Sequence, residues 1–163
     1  MQLSDRYLEL LKNSLLNEIY LENDLRWLYV FANLHTGKNI DLEIFRNIRT
    51  HLPDWFSGIK AARQEGKSWW QINIKNADGT EGRLDLRNVC EFSHTMVGRK
   101  RLENIQHCLA LIKKDKIPGD VAETGVWRGG ASIFMKGCLS AWEMEDRNVW
   151  VADSFEGLPV PSS

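Results

Sequence analysis

The stretch Asp120-Val121-Ala122-Glu123-Thr124-Gly125-Val126-Trp127-Arg128-Gly129-Gly130 constrains this chain most. It runs from a buried-strand pattern through a glycine-bracketed turn into a helical pattern. Glycines at a strand-to-helix turn let backbone come close to a ligand. A second apolar run, Val149-Trp150-Val151-Ala152, ends in Asp153. The sequence between the two runs is long enough for one helix, so the spacing predicts a right-handed parallel crossover. In a doubly wound sheet the crevice outside the carboxyl ends of such strands takes the ligand, and an acidic residue ending the second strand holds a ribose.

Laid over the dinucleotide pattern Gly-x-Gly-x-x-Gly, Gly125 fills the first slot and Gly130 the third, but Trp127 stands in the second. The middle glycine lets a pyrophosphate touch backbone, and an indole removes that approach. NAD and FAD are disfavoured on this ground. A ligand with an amino-acid end, a nucleoside end and no phosphate has no need of that glycine, because its carboxylate uses the amides that start the next helix. S-adenosylmethionine is such a ligand. Glu123 then meets its ammonium, directly or through water, Gly125 and Gly129 permit backbone approach, and Asp153 accepts from two ribose hydroxyls. The alternative is a tight connection in which Glu123 and Asp153 are only solvated strand ends. Acidic residues at both switch-point positions weigh against that coincidence.

At 163 residues the chain has room for one cored domain, or for a small domain joined to part of a larger one. Its 21 basic and 22 acidic residues are interspersed and leave a formal charge of −1, so no polyanion-binding surface is implied and nucleic acid is not an expected partner. No uninterrupted apolar span approaches about 20 residues, and the start lacks a basic segment leading into an apolar one. A soluble, cytoplasmic protein without membrane partners is expected. Cys90, Cys108 and Cys138 are widely spaced and form no Cys-x-x-Cys pair, which fits reduced, structural thiols. Seven tryptophans are many for this length, and rings of that size serve core or interface area more often than chemistry, Trp127 excepted.

The spacing of Leu8, Leu11, Leu15 and Ile19, then Leu25, Leu28 and Phe31, predicts two helices, or one broken near Glu22-Asn23-Asp24. Asp41 is placed to cap a short helix carrying Leu42, Phe45 and Ile48, and Pro53 to open another. Alternation at Trp70, Ile72 and Ile74 and again at Leu84 and Leu86, around Asn76-Ala77-Asp78-Gly79-Thr80, predicts a hairpin near 69–86. Helical period resumes from Val97 to Lys114. A strand (121–124), a helix (130–142) and a strand (148–152) follow. The expected class is α/β, with a parallel sheet preceded by an α-helical region that carries a small hairpin. The division is 1–92 for the helical region and 93–163 for the start of the ligand-binding domain.

Pro118 through Ala131, together with Val149-Trp150-Val151-Ala152-Asp153-Ser154-Phe155-Glu156-Gly157-Leu158-Pro159, closely resembles the macrocin O-methyltransferase family, which methylates sugar hydroxyls of natural products such as macrolides. The resemblance extends to Ser93-His94-Thr95-Met96-Val97-Gly98-Arg99-Lys100-Arg101-Leu102-Glu103-Asn104-Ile105 and, more weakly, to Arg6-Tyr7-Leu8-Glu9-Leu10-Leu11-Lys12. The tract Glu22 to Cys90 is not matched. This resemblance implies an incomplete class I methyltransferase fold, Rossmann-like, with S-adenosylmethionine as donor and magnesium binding vicinal oxygens of a glycosylated small-molecule acceptor. It also implies that Thr95, Met96 and Val97 close over the methionine end and that Trp127 lines the cofactor site. Metal ligands and the catalytic base in such enzymes lie on later strands. The chain is therefore expected to be the amino-terminal part of a longer enzyme, or a truncated gene product, ending after its second strand, with no metal ligands of its own and inactive alone.

His94 could act as base or orient the acceptor, although a loop histidine beside a helix start is more often a local hydrogen-bonding group. His35, His51 and His107 show no metal-ligand spacing. Arg99-Lys100-Arg101 reads as the solvated face of a helix rather than an anion site. Glu156 has no assigned role. The amino-terminal helices read either as a lid over the acceptor or as a surface for homo-oligomer formation. Two other functions compete: a nucleotide-binding oxidoreductase, weakened by Trp127, and a non-catalytic interaction fragment.

Overall fold

A computed structural model describes residues 2–64, 69–75, 78–87 and 93–157. Cys90, Leu158 and Pro159 lie outside the described residues. Helix α1 (Leu3–Leu15) opens on a local cap, in which the Gln2 amide donates to Asp5 Oδ2 at 3.0 Å. Helix α2 spans Leu21–His35. The break between them falls at residues 16–20, not near Glu22-Asn23-Asp24. Asn17 takes the turn in the left-handed region (φ 57°), which asparagine tolerates, and its side-chain amide donates to Asp24 Oδ1 at 2.9 Å. Glu22 and Asp24 instead occupy the first turn of α2, where negative charge favours a helix.

The expected short helix is two pieces, α3 (Leu42–Arg46) and α4 (Ile48–His51), interrupted at Asn47. Asp41 caps the first by accepting from the Glu43 amide at 2.8 Å and the Ile44 amide at 3.4 Å. Pro53 begins α5 (Pro53–Gln64). Strands β1 (Trp69–Lys75) and β2 (Glu81–Arg87) form the hairpin, antiparallel, with Ile72 opposite Leu84. Helix α6 runs from Arg99 to Lys114. It starts two residues later than the periodicity suggests, since the Thr95 hydroxyl accepts from the Val97 amide at 3.2 Å and holds the chain in a turn.

The crossover closes the described chain: β3 (Val121–Thr124), α7 (Gly130–Ala141) and β4 (Val149–Ala152). The strands pair in parallel, Val121 opposite Val149 and Thr124 opposite Ala152. Asp120 fastens their amino ends, accepting from the Asn148 amide at 2.9 Å and the Trp150 indole N–H at 2.7 Å. These bonds hold its carboxyl below the ordinary range, first through Asn148 and then through Trp150.

Among the described residues two apolar clusters organise the packing. One joins Leu8 and Leu15 of α1, Leu102 and Leu109 of α6, and Phe134, Met135, Cys138 and Leu139 of α7, with Val121 and Val149 of the sheet against it. The other joins Leu21, Leu25, Leu28 and Tyr29 of α2 to Ile48 and Ile59. Helix α1 therefore shares its core with the crossover. Gly137 permits this, because a Cβ there would collide with the Leu11 side chain.

One expectation about a surface residue changes. Arg99 is not on a solvated face: its side chain is 13% exposed and pairs with Glu9 Oε1 at 2.6 Å, with Glu18 and with Asn13. Glu9 of α1 and Glu18 just beyond it cover Arg99, while Lys100 and Arg101 stay exposed. Among the described tryptophans, Trp27 and Trp150 are exposed, as interface rings are. Trp150 gains a polar partner in Asp120 and Trp27 stacks on Phe31, with ring centroids 5.8 Å apart.

Candidate functional site

The site forms where β3 and β4 end together. Gly125 continues the ladder, its amide donating to the Ala152 carbonyl at 2.9 Å, and then turns in the left-handed region at φ 81°. The next amide, that of Val126, donates to Asp153 Oδ2, and the Phe155 amide donates to Oδ1 at 3.0 Å. The carboxylate is thus fixed across the crossover by one donor from each side. Those amide bonds, Phe155 first and Val126 second, hold Asp153 below the ordinary carboxylate range. At neutral pH it is an ionised, acceptor-only group, and each oxygen keeps a lone pair for a further donor.

Gly129 is also left-handed, at φ 74°, and caps α7. Its carbonyl accepts from the Ile133 amide at 2.8 Å, so the helical ladder begins there. The first-turn amides have no partner within the helix and carry the positive end of its dipole. Glu123, half-buried at the end of β3, accepts from the Ser132 hydroxyl of that turn through Oε2. One carboxylate oxygen is oriented by the helix, which leaves Oε1 to meet a cation. The Trp127 ring is 49% exposed, with the Arg128 guanidinium 4.2 Å from its centroid.

The segment before α6 meets the same turn. Gly130 is buried because a Cβ there would run into the His94 carbonyl and the Thr95 side chain. Thr95 is buried, while Met96 is 54% exposed. The exposed His94 donates its amide to the Leu15 carbonyl at 2.8 Å. Thr95, Met96, Val97, Glu123, Gly125, Trp127, Gly129, Gly130 and Asp153 thus belong to the strand ends, the turn between them and the segment packed on that turn. Glu156 is exposed beyond them. Sequence reasoning missed Ser132, Ser93 and Arg128. Arg128 had a legible signal, a planar cation between an aromatic ring and a glycine pair. Ser93 and Ser132 had none, since their roles depend on tertiary neighbours.

Among the described residues no three of His, Cys, Asp or Glu converge as a metal-holding group would require. None of the described helices is long and apolar enough to cross a membrane. Cys108 and Cys138 are free thiols, the first exposed and the second buried.

A parallel crossover with a left-handed glycine turn, an acidic residue ending each strand and a helix start between them defines a Rossmann-like fold of the methyltransferase type. The chain is similar to the solved structure of the O-methyltransferase NovP, with a TM-score of 0.57 at 32% identity over 96% of this chain and 44% of that one. The macrocin O-methyltransferase (TylF) family model matches residues 4–163, and the chain belongs to that family. The match includes the tract between Glu22 and Cys90 that resemblance of motifs left open. The mycinamicin III 3''-O-methyltransferase of Micromonospora griseorubida is 61% identical over 67 residues, 41% of this chain and 26% of that protein. The demethyldecarbamoylnovobiocin O-methyltransferase of Streptomyces niveus is 50% identical over 90 residues, 53% of this chain and 34% of that protein. In Streptomyces olivaceus, the 8-demethyl-8-(2,3-dimethoxy-alpha-L-rhamnosyl)-tetracenomycin-C 4'-O-methyltransferase is 60% identical over 77 residues, 47% and 30% of the respective chains. The chain spans about a quarter to a third of the length of these curated relatives. They favour the methyltransferase reading over an oxidoreductase or an interaction fragment.

Proposed function

We propose that this chain supplies the donor-binding part of an S-adenosylmethionine-dependent O-methyltransferase whose acceptor is a sugar hydroxyl of a glycosylated natural product, of macrolide type or a related class. The observation that carries the reading is the meeting of Glu123, the Gly125 turn, the start of α7 and Asp153 at the ends of two parallel strands. Asp153 accepts the two ribose hydroxyls with the lone pairs its amide bonds leave. The first-turn amides of α7 receive the methionine carboxylate. Glu123 faces the ammonium, and the Trp127 ring lines the pocket. The Thr95-Met96-Val97 segment closes over the methionine end, with the exposed Met96 reaching toward it. The sugar acceptor rests on the relatives, one of which carries a rhamnosyl group in its name.

When bound, S-adenosylmethionine would supply an electrophilic methyl carbon to the acceptor oxygen, its sulfonium becoming a neutral thioether, while the hydroxyl proton would pass to solvent. Reaction requires that oxygen in line at about 3 to 3.5 Å. The described residues do not fit a magnesium site: Glu123 is held by Ser132, Asp153 by two amides and Asp120 by Asn148 and Trp150.

The functional division we adopt places residues 93–163 in the donor-binding domain and 1–92 in a cap, with α1 bracing the former through the shared core. A cytoplasmic setting and a homo-oligomer through the amino-terminal helices complete the proposal. The exposed Trp27, Phe31 and Leu34 of α2 support the latter. Calorimetric titration tests the central claim: S-adenosylhomocysteine binds the folded chain and NAD does not. A folded chain that ignores S-adenosylhomocysteine would sink the reading. Asp153→Ala is expected to weaken binding by about tenfold or more, the worth of a charge-assisted hydrogen bond or two.

A further inference from the structure

The segment from Ser93 to Val97 is anchored to α1 on one side. The His94 amide donates to the Leu15 carbonyl at 2.8 Å, and Arg99, just beyond the segment, pairs with Glu9 and Glu18. Neither anchor reaches the glycine turn. Arg128 does, because its Nη1 donates to the Ser93 carbonyl at 3.1 Å while its guanidinium lies over the Trp127 ring. Ser93 is fully buried, and its hydroxyl donates to the Thr95 carbonyl at 2.8 Å. The group that receives Arg128 therefore belongs to a residue tied into the segment. Beside this bond the bare Cα of Gly130 lets turn and segment touch, so a small shift of one is felt by the other.

We propose that Arg128 is a positioning residue, coupling occupation of the site at Trp127 to the seating of the 93–97 segment. The proposal rests on the S-adenosylmethionine reading for the identity of the ligand. A ligand that covers the half-exposed indole removes water from the ring and its cation, and the pair strengthens as it is desolvated. The guanidinium is then held more firmly, and with it the Ser93 carbonyl and the turn that carries Thr95. Lysine cannot substitute, because a point charge on a flexible stem does not stack in a plane and donate from a fixed fork together.

Hydrogen exchange at the Met96 and Val97 amides, with and without S-adenosylhomocysteine, tests this in the wild-type chain, Arg128→Met and Arg128→Lys. In the wild type, saturating ligand is expected to slow exchange at both amides by about tenfold or more. Arg128→Met is expected to bind roughly tenfold more weakly and to lose that protection even at saturation, with the melting temperature of the free chain unchanged within about 3 °C. Arg128→Lys should restore neither. Wild-type affinity with full protection in Arg128→Met, or full rescue by lysine, overturns the proposal. Should Arg128→Met not fold, Trp127→Leu reports on the same coupling: ligand-dependent protection at saturation is lost if the proposal holds, and its retention overturns it. A wild-type chain that binds no S-adenosylhomocysteine defeats the cofactor reading itself, whereas binding with Arg128-independent protection defeats only this inference.

Discussion

At the scale of single residues, the chemistry of the site comes from carboxylates whose freedom has been removed. Asp153 is pinned by two amides and Glu123 by one hydroxyl, so each presents a fixed acceptor before any ligand arrives. Glu9 is a third constrained carboxylate, away from the site. Burial raises its pKa, but hydrogen bonds and charge from Lys12 and Arg99 outweigh that and bring it below the ordinary value. A depressed folded-state pKa contributes stability that is present above the unfolded value and lost as pH falls through the folded one. The melting-temperature gap between wild type and Glu9→Gln is therefore expected to be largest near neutrality and to close as pH is lowered to about 3. A gap independent of pH would show that Glu9 acts by packing alone. The cysteines differ for a similar reason. Burial pushes the Cys138 thiol up to about 12, whereas Cys108 is exposed. Alkylation of the native chain at pH 8, mapped by peptide mass, should label Cys108 and spare Cys138.

At the scale of elements, two glycines without special dihedrals matter as much as the left-handed ones. Gly137 lets α1 lie against α7, and Gly130 lets the 93–97 segment lie against the start of that helix. A side chain at Gly137 meets only the end of a flexible leucine, whereas one at Gly130 meets backbone. Gly130→Ala is expected to cost more stability than Gly137→Ala, by about 1–3 kcal/mol, the usual range for overpacking. Chemical denaturation of the two variants checks the order. Leu8, wholly buried between α1 and its partners, should cost about 2–5 kcal/mol when cut to alanine. Periodicity in the sequence located nearly every element, because apolar spacing and local caps such as Asp41 act within a few residues. It misplaced the α1–α2 break, since Glu22 and Asp24 suit a helix start as well as a loop, and only the Asn17 contact with Asp24 distinguishes them.

At the scale of the whole molecule, α1 is the amino-terminal helix that shares a core with the crossover. It contributes Leu8 and Leu15 to that core, and its Glu9, with Glu18 beyond its end, receives Arg99 from the start of α6. The exposed stripe of Trp27, Phe31 and Leu34 on α2 lies outside that core. Light scattering is expected to show self-association that Trp27→Ser with Phe31→Ser reduces; a strictly monomeric wild type would remove this surface from the proposal. By itself the sequence determined the crossover, its glycine turn and the two acidic strand ends, because these follow from local backbone requirements and strand periodicity. It likewise marked Trp127 as an obstacle to pyrophosphate, a matter of side-chain size at one position. Only the tertiary structure decided that Arg99 is paired and largely covered, that Gly130 admits the 93–97 segment, and that Ser132, Ser93 and Arg128 belong with the site. Each of those facts depends on which distant surface arrives opposite a residue, and that is set by packing between elements rather than by the neighbours along the chain.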